Sequence, residues 1–227
     1  MNEEVLKYRN KDLKQLVIGI VGGTGAQGIG LGYRLANSGF AVILGSRDEE
    51  KAIASADLLG LGVTGAGNRE CAALSDLVII AVPWDSHQLI VTSLKNELIG
   101  KIVIDCVNPI GFDQGGAFPV VVAEGSACAQ AQGILIESKV VSAFNHVSAV
   151  LLADREVKEI EIDIMVVGDD KSATAVVQGL IDELPGMRGI YAGKMRNAGQ
   201  VEALTANLIS MNRRYKTHTG IRITGLN

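Results

Sequence analysis

An apolar run ends directly in a glycine-rich turn near the start of the chain. LVIGIV (Leu16–Val21) is followed by GGTGAQG, in which Gly23, Gly25 and Gly28 have the spacing G-x-G-x-x-G. The first glycine allows a tight turn, the second lets backbone amides approach a pyrophosphate, and the third lets the next helix pack against the strand. Because a strand precedes the turn and a helix follows it, the pattern favours a dinucleotide site over a structural glycine turn.

Similar apolar runs recur along the chain and alternate with longer mixed segments. Such runs are typical of parallel strands covered on both faces, and the alternation predicts an α/β fold with a Rossmann-type doubly wound parallel sheet. The segments 168–186 and 199–216 predict a small helical C-terminal region. The later runs are Ala41–Leu44, Leu77–Val82, Lys101–Val107, Lys139–Phe144 and Ile162–Val167, with a weaker strand near Gly62–Thr64.

Three parts follow from this order. Residues 1–15 are charged and are predicted to form an N-terminal arm. Residues 16–150 are predicted to be the dinucleotide-binding Rossmann domain. Residues 151–227 are predicted to be an extension that completes the sheet.

Composition excludes several classes of protein. The 227 residues carry a formal net charge of −4, so a general nucleic-acid-binding surface is not expected. The cysteines Cys71, Cys106 and Cys128 have no metal-binding spacing, so no metal site is predicted. No apolar run reaches the roughly 18 residues of a membrane-spanning helix. We expect a soluble, cytoplasmic protein without a membrane partner.

The segment GSRDEEK, from Gly45 to Lys51, lies where the adenosine ribose of a dinucleotide would rest. NAD sites usually have a carboxylate here, whereas Ser46, Arg47 and Lys51 would suit the 2′-phosphate of NADP. The alternative is that Ser46 or Asp48 caps the next helix and that the cations only face water. We favour NADP over NAD.

The ends of three further strands carry unusual side chains. They are PWDSH after the third strong run, NPIG after the fourth and NHVSA after the fifth. Ligands bind beyond the carboxyl ends of parallel strands, so these loops are predicted to converge on the nicotinamide. Termination of strands by proline, packing of Trp84, and a hydrogen-bonded pair of Asn145 and His146 are the structural alternatives.

Acid–base groups are scarce at these strand ends. A carbonyl reductase needs an acid to protonate the alkoxide, and His146 is the one clear candidate. No Tyr-x-x-x-Lys motif occurs. Hydride transfer between two redox cofactors would instead need two flat rings held face to face.

These motifs together resemble the family of NADPH-dependent coenzyme F420 reductases. The resemblance rests on GGTGAQG, GSRDEEK, the PW pair, SAFNHVSA, VGDD and the tail NRRYKTHTGIRITGL, and it covers residues 16 to 227. It implies an oxidoreductase that transfers a hydride between NADP(H) and the deazaflavin coenzyme F420. It also implies a homodimer whose C-terminal segment contributes to the deazaflavin pocket and the dimer contacts.

The resemblance also assigns site residues by position. The catalytic pocket would act by positioning rather than by acid–base chemistry, and it would be bounded by Trp84, Asn145, His146 and Val147. The dinucleotide would be held by Gly23, Thr24, Gly25, Ala26, Gln27, Gly28, Ser46, Arg47, Lys51, Val82, Ser86, Asn108, Ala149 and Thr219.

Two other functions fit the same framework. One is an NADPH-dependent flavin, ferric or imine reductase, which would use the same dinucleotide site with a different acceptor. The other is a non-catalytic NADP-sensing protein, which the small number of acid–base groups leaves open.

Overall fold

The structure, a computed structural model, describes residues 13–226 as alternating strands and helices. The strands are β1 (Val17–Val21), β2 (Ala41–Ser46), β3 (Thr64–Gly67), β4 (Leu77–Ile80), β5 (Ile102–Asp105), β6 (Ile110–Asp113), β7 (Gly116–Pro119), β8 (Lys139–Ser142), β9 (Ile162–Val167) and β10 (Met187–Gly193). The helices are α1 (Ala26–Asn37), α2 (Glu49–Leu59), α3 (Asn68–Leu74), α4 (Trp84–Ser93), α5 (Ala127–Ile134), α6 (Ala149–Ala153), α7 (Lys171–Asp182) and α8 (Ala198–Tyr215).

Most of the predicted N-terminal arm, residues 1–12, lies outside the described residues. Its last three residues, Leu13–Gln15, form a 3₁₀ turn. The Lys14 ammonium donates to the carbonyl oxygen of Ser38 at 2.7 Å and lies 2.8 Å from the Glu183 carboxylate. This end of the arm therefore joins the C-terminus of α1 to the end of α7.

The central sheet has the order β10-β9-β8-β5-β4-β1-β2-β3. Strands β3, β2, β1, β4, β5 and β8 are mutually parallel. Strands β2 and β3 lie on one side of β1, whereas β4, β5 and β8 lie on its other side. The order of the strands therefore reverses between β1 and β4, and this switch leaves a crevice at their carboxyl ends. The predicted Rossmann-type α/β fold is confirmed, as are the two C-terminal helices, α7 and α8.

The direction of β9 corrects the sequence prediction. Ile162–Val167 forms the predicted strand, but it pairs antiparallel to β8 through the single pair Ser142 and Val167. It is parallel only to β10, which was not predicted. An apolar run indicates burial and not direction. Because the pairing is antiparallel, the start of β9 lies beyond the carboxyl end of β8, on the ligand-binding side of the sheet.

A second small sheet follows β5 and was also not predicted. Strands β6 and β7 form an antiparallel hairpin, and the Asp113 carboxylate accepts from the amides of Gly115 and Gly116 at its turn. Phe112 on this hairpin is 70% exposed. The hairpin packs against α8, so it extends the surface around the carboxyl edge of the main sheet.

Two apolar clusters cover the two faces of the main sheet. One joins α1, α2 and α7 to the sheet, and the other joins α4, α5 and α8 to it. The strands β4 and β5 are buried along their whole length, as expected of central strands with both faces covered.

Arg34 on α1 is a buried cation that holds the short helix α6 in place. It is 4% exposed and donates to the carbonyl oxygens of Leu151, Leu152, Asp154 and Val157 at 2.6–2.9 Å. These carbonyls include groups at the end of α6 that lack partners within the helix. Arg34 thereby joins the dinucleotide-turn helix to the segment between β8 and β9.

We predict that Arg34→Met lowers the free energy of unfolding by about 3 kcal/mol, because the buried carbonyl oxygens lose a charged donor. Urea unfolding followed by Trp84 fluorescence measures this. Arg69→Met is the control, since Arg69 has a side chain that is 72% exposed and pairs at the surface with Glu97. Equal losses for the two variants would contradict the structural role of Arg34.

Candidate functional site

The glycine turn between β1 and α1 is held by very close backbone contacts. The Gly23 amide donates to the carbonyl oxygen of Gly45 at 2.8 Å. A Cβ on Gly23 would lie 3.0 Å from Leu44 Cα, and one on Gly28 would lie 2.6 Å from Gly23 Cα. Gly23 and Gly28 are thus required for packing of α1 against β1 and β2.

The tight turn itself depends on Gly22, which sequence reasoning did not include in the site. Gly22 has φ +77°, in the left-handed region, whereas the turn was predicted to depend on Gly23. A Cβ on Gly22 would also lie 2.7 Å from Val82 Cγ1. The doubled glycine in GGTG was the sequence signal for this role.

Gly25 differs from its neighbours because nothing in the protein crowds it. A Cβ there would meet only the carbonyl oxygen of Gly22, at 3.4 Å. Gly25 is the N-cap of α1, and the predicted binders Ala26 and Gln27 open the helix. The first amides of a helix lack partners within it and favour an anion. This opening therefore fits a pyrophosphate.

At the carboxyl end of β2, one residue caps the next helix, and it faces a cavity together with its neighbours. The Asp48 carboxylate accepts from the Lys51 amide at 3.1 Å, and the Ser46 hydroxyl accepts from the Asp48 amide at 3.2 Å. The predicted capping alternative therefore holds for Asp48. Arg47 and Lys51 have exposed side chains beside it.

A cavity of about 400 Å³ connects the glycine turn with this strand end. Seven of the predicted dinucleotide-binding residues line it: Thr24, Gly25, Ser46, Arg47, Lys51, Val82 and Ser86. Asn68, which was not predicted, also lines it, and its side-chain oxygen accepts from the Gly22 amide at 3.3 Å. Asn68 begins α3 directly after the weak strand TGAG, and nothing in the sequence marks it as a site residue.

Beyond β4, the aromatic ring of Trp84 covers a buried hydrogen-bonded pair of His87 and Asp105. The Trp84 and His87 rings are stacked, with centroids 5.6 Å apart. His87 Nε2 lies 2.7 Å from Asp105 Oδ2, and its Nδ1 lies 3.1 Å from Gln130 Oε1. Burial alone would lower the pKa of His87, but the Asp105 carboxylate outweighs this effect and the pKa is raised. The pair joins α4 and its Trp84 to β5.

A second buried carboxyl group lies close to this pair. Glu202 on α8 is 2% exposed and accepts from the amides of Ala127 and Cys128 at the start of α5. Burial raises the pKa of Glu202 to about 7, against the effect of the two amides. Glu202 therefore joins α8 to α5 and titrates near neutral pH.

The predicted residues after β5 and β8 are hydrogen-bonded to one another. Asn108 Nδ2 donates to the carbonyl oxygen of Asn145 at 2.7 Å. The Asn145 side chain accepts from the Ser142 hydroxyl and donates to the carbonyl oxygen of Val107. Asn145 is 4% exposed. Its side chain thus braces the loop, but it is not paired with His146, which bonds to Met165 instead.

His146 is buried behind this loop and is poorly suited to acid catalysis. Its Nε2 accepts from the Met165 amide of β9 at 3.1 Å, which places the proton of the neutral ring on Nδ1. Burial lowers the pKa of His146 to about 4. At neutral pH the ring is uncharged, so it is a weak donor of protons to an alkoxide.

The remaining predicted residues surround the carboxyl end of β8. Val147 is buried, and Ala149 begins α6 after its N-cap Ser148. The Thr219 amide and hydroxyl both donate to Asn212 Oδ1, at 2.6 and 2.8 Å. None of these residues lines the cavity at the glycine turn. They lie at the end where the nicotinamide was predicted.

Within residues 13–226, no group of three or more His, Cys, Asp or Glu side chains could hold a metal ion. No helix in the same range is long and apolar enough to cross a membrane.

The chain is similar to known proteins over most of its length. The family described as NADP oxidoreductase coenzyme F420-dependent matches residues 17–109. The F420-dependent NADP reductase of Methanocaldococcus jannaschii is 37% identical over 92% of this chain and 98% of its own. The reductase of that name from Methanothermobacter thermautotrophicus is also 37% identical, over 92% of this chain and 95% of its own.

A solved structure is similar over nearly the whole chain. It is a protein of Arthrobacter sp. FB24, provisionally assigned as an F420-dependent NADP reductase. It matches with a TM-score of 0.80 and 27% identity, over 92% of this chain and 99% of that chain.

We predict that Gly25→Val leaves the fold intact but abolishes detectable dinucleotide binding, because the added side chain occupies the space that a pyrophosphate would need. Thermal unfolding and calorimetric titration with NADP⁺ measure the two effects. Gly28→Val is the contrasting variant, and it should lose stability because its Cβ meets backbone. Normal NADP⁺ binding by Gly25→Val would show that the turn is structural only.

We predict that the contribution of Glu202 to the stability of the protein falls between about pH 5 and pH 8, because the pKa of its carboxyl is raised. Its protonated form is favoured in the folded state, so this stabilisation is complete below the unfolded pKa and is lost as pH rises through the folded one. Glu202→Gln should remove roughly 2–4 kcal/mol of that change. Urea unfolding across this pH range measures it, with the surface variant Glu137→Gln as control. An unchanged pH slope in Glu202→Gln would contradict the prediction.

Proposed function

Because the chain belongs to the family of F420-dependent NADP reductases, we propose that it transfers a hydride between NADP(H) and coenzyme F420. The observation that carries this proposal is the division of roles at the end of β2. Ser46, Arg47, Asp48 and Lys51 all line the cavity, and the carboxylate of Asp48 accepts from the Lys51 amide. A 2′-phosphate thus meets a hydroxyl and two cations there.

The pyrophosphate would lie on the amides at the start of α1, beside Thr24 and Gly25. The ribose phosphate would then extend toward Arg47, whose guanidinium can donate two parallel hydrogen bonds to phosphate oxygens. In the other direction the dinucleotide would pass Val82 and Ser86 toward the carboxyl ends of β5 and β8. This path runs through the cavity that joins the glycine turn to the end of β2.

The nicotinamide end is suited to hydride transfer without acid–base catalysis. Bound there, the two cofactors supply the chemistry, a hydride passing between nicotinamide C4 and deazaflavin C5. Asn145 is committed to the loop, and the neutral ring of His146 is buried. The contribution of the protein is to position two flat rings and to exclude water, with Trp84 and Val147 as apolar walls.

We further propose a cytoplasmic homodimer. Residues 16–150 would bind NADP(H), and residues 151–227 would complete the F420 pocket and contribute to dimer contacts. Exposed apolar side chains on and after the hairpin support an interface between copies, since Phe112 is 70% and Val121 94% exposed. Arg213 and Arg214 lie beside this surface and would attract the acidic side chain of F420.

We predict that mixing the protein with NADPH and oxidised F420 bleaches the absorbance of the deazaflavin. Free flavin and a ferric chelate are the alternative acceptors in parallel reactions. Reduction of either one without bleaching of F420 would favour the alternative reductases. Tight NADPH binding with no turnover of any acceptor would favour the sensing function, and both results would contradict the proposal.

We predict that Arg47→Ala weakens NADPH binding by roughly 1.5–3 kcal/mol, the range for a hydrogen bond to a charged group. NADH binding should change little, because NADH lacks the 2′-phosphate. Calorimetric titrations of both dinucleotides measure the difference. Lys95→Ala removes an exposed cation elsewhere and is the charge-matched control. Equal losses for NADPH and NADH in Arg47→Ala would show that Arg47 does not recognise the phosphate.

A further inference from the structure

Asp163 is a buried carboxylate that the dinucleotide site does not use. Its side chain is 0% exposed, yet it lies in β9 among apolar residues. Arg188 of β10 donates to both of its oxygens at 2.7 Å, in a bidentate pair. The Arg188 guanidinium holds the pKa of this carboxyl well below its usual range. Asp163 is therefore charged at neutral pH.

The other partners of Asp163 all come from the C-terminal tail. Arg222 Nη1 donates to it at 3.0 Å, and the Ile223 amide donates to it at 2.7 Å. The Asp163 amide in turn donates to the carbonyl oxygen of Ile221 at 2.8 Å. Three contacts thus join one residue of β9 to residues 221–223, a segment with no helix or strand of its own.

The tail crosses the carboxyl edge of the sheet before it reaches Asp163. We call residues 217–224 the strap. His218 Nδ1 lies 3.3 Å from the Ser148 hydroxyl, next to the start of α6. Thr219 is held by Asn212 at the end of α8. A Cβ on Gly220 would lie 3.1 Å from the Ile162 side chain, so the strap runs close to β9.

The antiparallel direction of β9 explains why the anchor lies at this place. Val167 pairs with Ser142, so the earlier residues of β9 lie beyond the carboxyl end of β8. The amide of Met165, two residues after Asp163, is already paired with His146. Asp163 therefore reaches past the sheet to the level of the strap, at the end of the site where the nicotinamide would rest.

We propose that Asp163 is a positioning residue that fastens the strap over the nicotinamide end of the site and so sets the place of Thr219. This inference rests on the proposed function. It assigns to the tail a fixed wall of the pocket, against which the second flat cofactor is held. The adenosine end, at Ser46 and Arg47, is independent of the strap.

A purely structural role for Asp163 predicts a different result from a positioning role. The structural role would lower stability and leave the kinetics of the folded enzyme unchanged. The positioning role changes the affinity for F420 in enzyme that remains folded. Asp182 offers a matched control, because its carboxylate accepts from the Gly189 amide at 2.8 Å in the same part of the sheet but has no contact with the strap.

The first experiment is amide hydrogen exchange of the free enzyme and of Asp163→Asn. The amide hydrogens of peptides that cover the strap should exchange at least about tenfold faster in the variant. Local opening of the strap then costs less free energy, because the contacts with Asp163 no longer have to break. Asp182→Asn should leave strap exchange unchanged. Arg222→Gln cuts the same anchor from the side of the strap and serves if Asp163→Asn does not fold. Unchanged strap exchange in both anchor variants would overturn the proposal.

The second experiment measures the steady-state kinetics of F420 reduction and the binding of a probe for the adenosine end of the site. In Asp163→Asn the KM for F420 should rise about tenfold, equivalent to about 1.4 kcal/mol. Affinity for adenosine 2′,5′-bisphosphate should stay unchanged, since this probe occupies only the end of the site near Arg47. Asp182→Asn should match the wild type in both. An unchanged KM in a variant whose strap exchanges faster would overturn the positioning role.

Failure of the proposed function would look different. If the wild type reduced no F420, the reductase proposal would fall together with the kinetic part of this inference, while the exchange experiment would still decide whether Asp163 anchors the strap.

Discussion

The close approach of backbone to backbone at the glycine turn is the constraint on which the rest of the site depends. Gly23 lies against β2 at Leu44, and Gly28 lies against Gly23. No side chain fits at either place, so α1 starts directly over the end of β1. The same packing leaves Gly25 facing open space. One set of contacts therefore fixes the helix and also clears the position for an anion.

The charges around this turn divide structural from ligand-binding roles. Arg34 and Asp163 are buried, and each is matched by several hydrogen bonds within the protein. Arg47 and Lys51 remain exposed at the cavity, where the neighbouring carboxylate is engaged by a backbone amide. A buried charge without partners is costly, whereas an exposed cation is free to meet a phosphate. Burial therefore indicates which charges bind a ligand.

Much of the fold was predictable, because the strands of the parallel half have apolar runs and the glycine turn has a defined spacing. The direction of β9 was not predictable, since the apolar run Ile162–Val167 would be equally buried in a parallel or an antiparallel strand. The roles of Asn68 and Asp163 were also missed. Each is a single polar residue whose partners are 46 and 60 residues distant in the chain, respectively at Gly22 and Ile223. Such contacts become visible only when the sheet is assembled.

A crystal structure of the protein with bound NADP⁺ would show whether the glycine turn and Arg47 hold the dinucleotide. We expect the 2′-phosphate within hydrogen-bonding distance of Ser46 and Arg47, the pyrophosphate on the amides at the start of α1, and the nicotinamide at the carboxyl end of β8. Adenosine bound away from Arg47, or a pyrophosphate that does not touch this turn, would contradict this expectation.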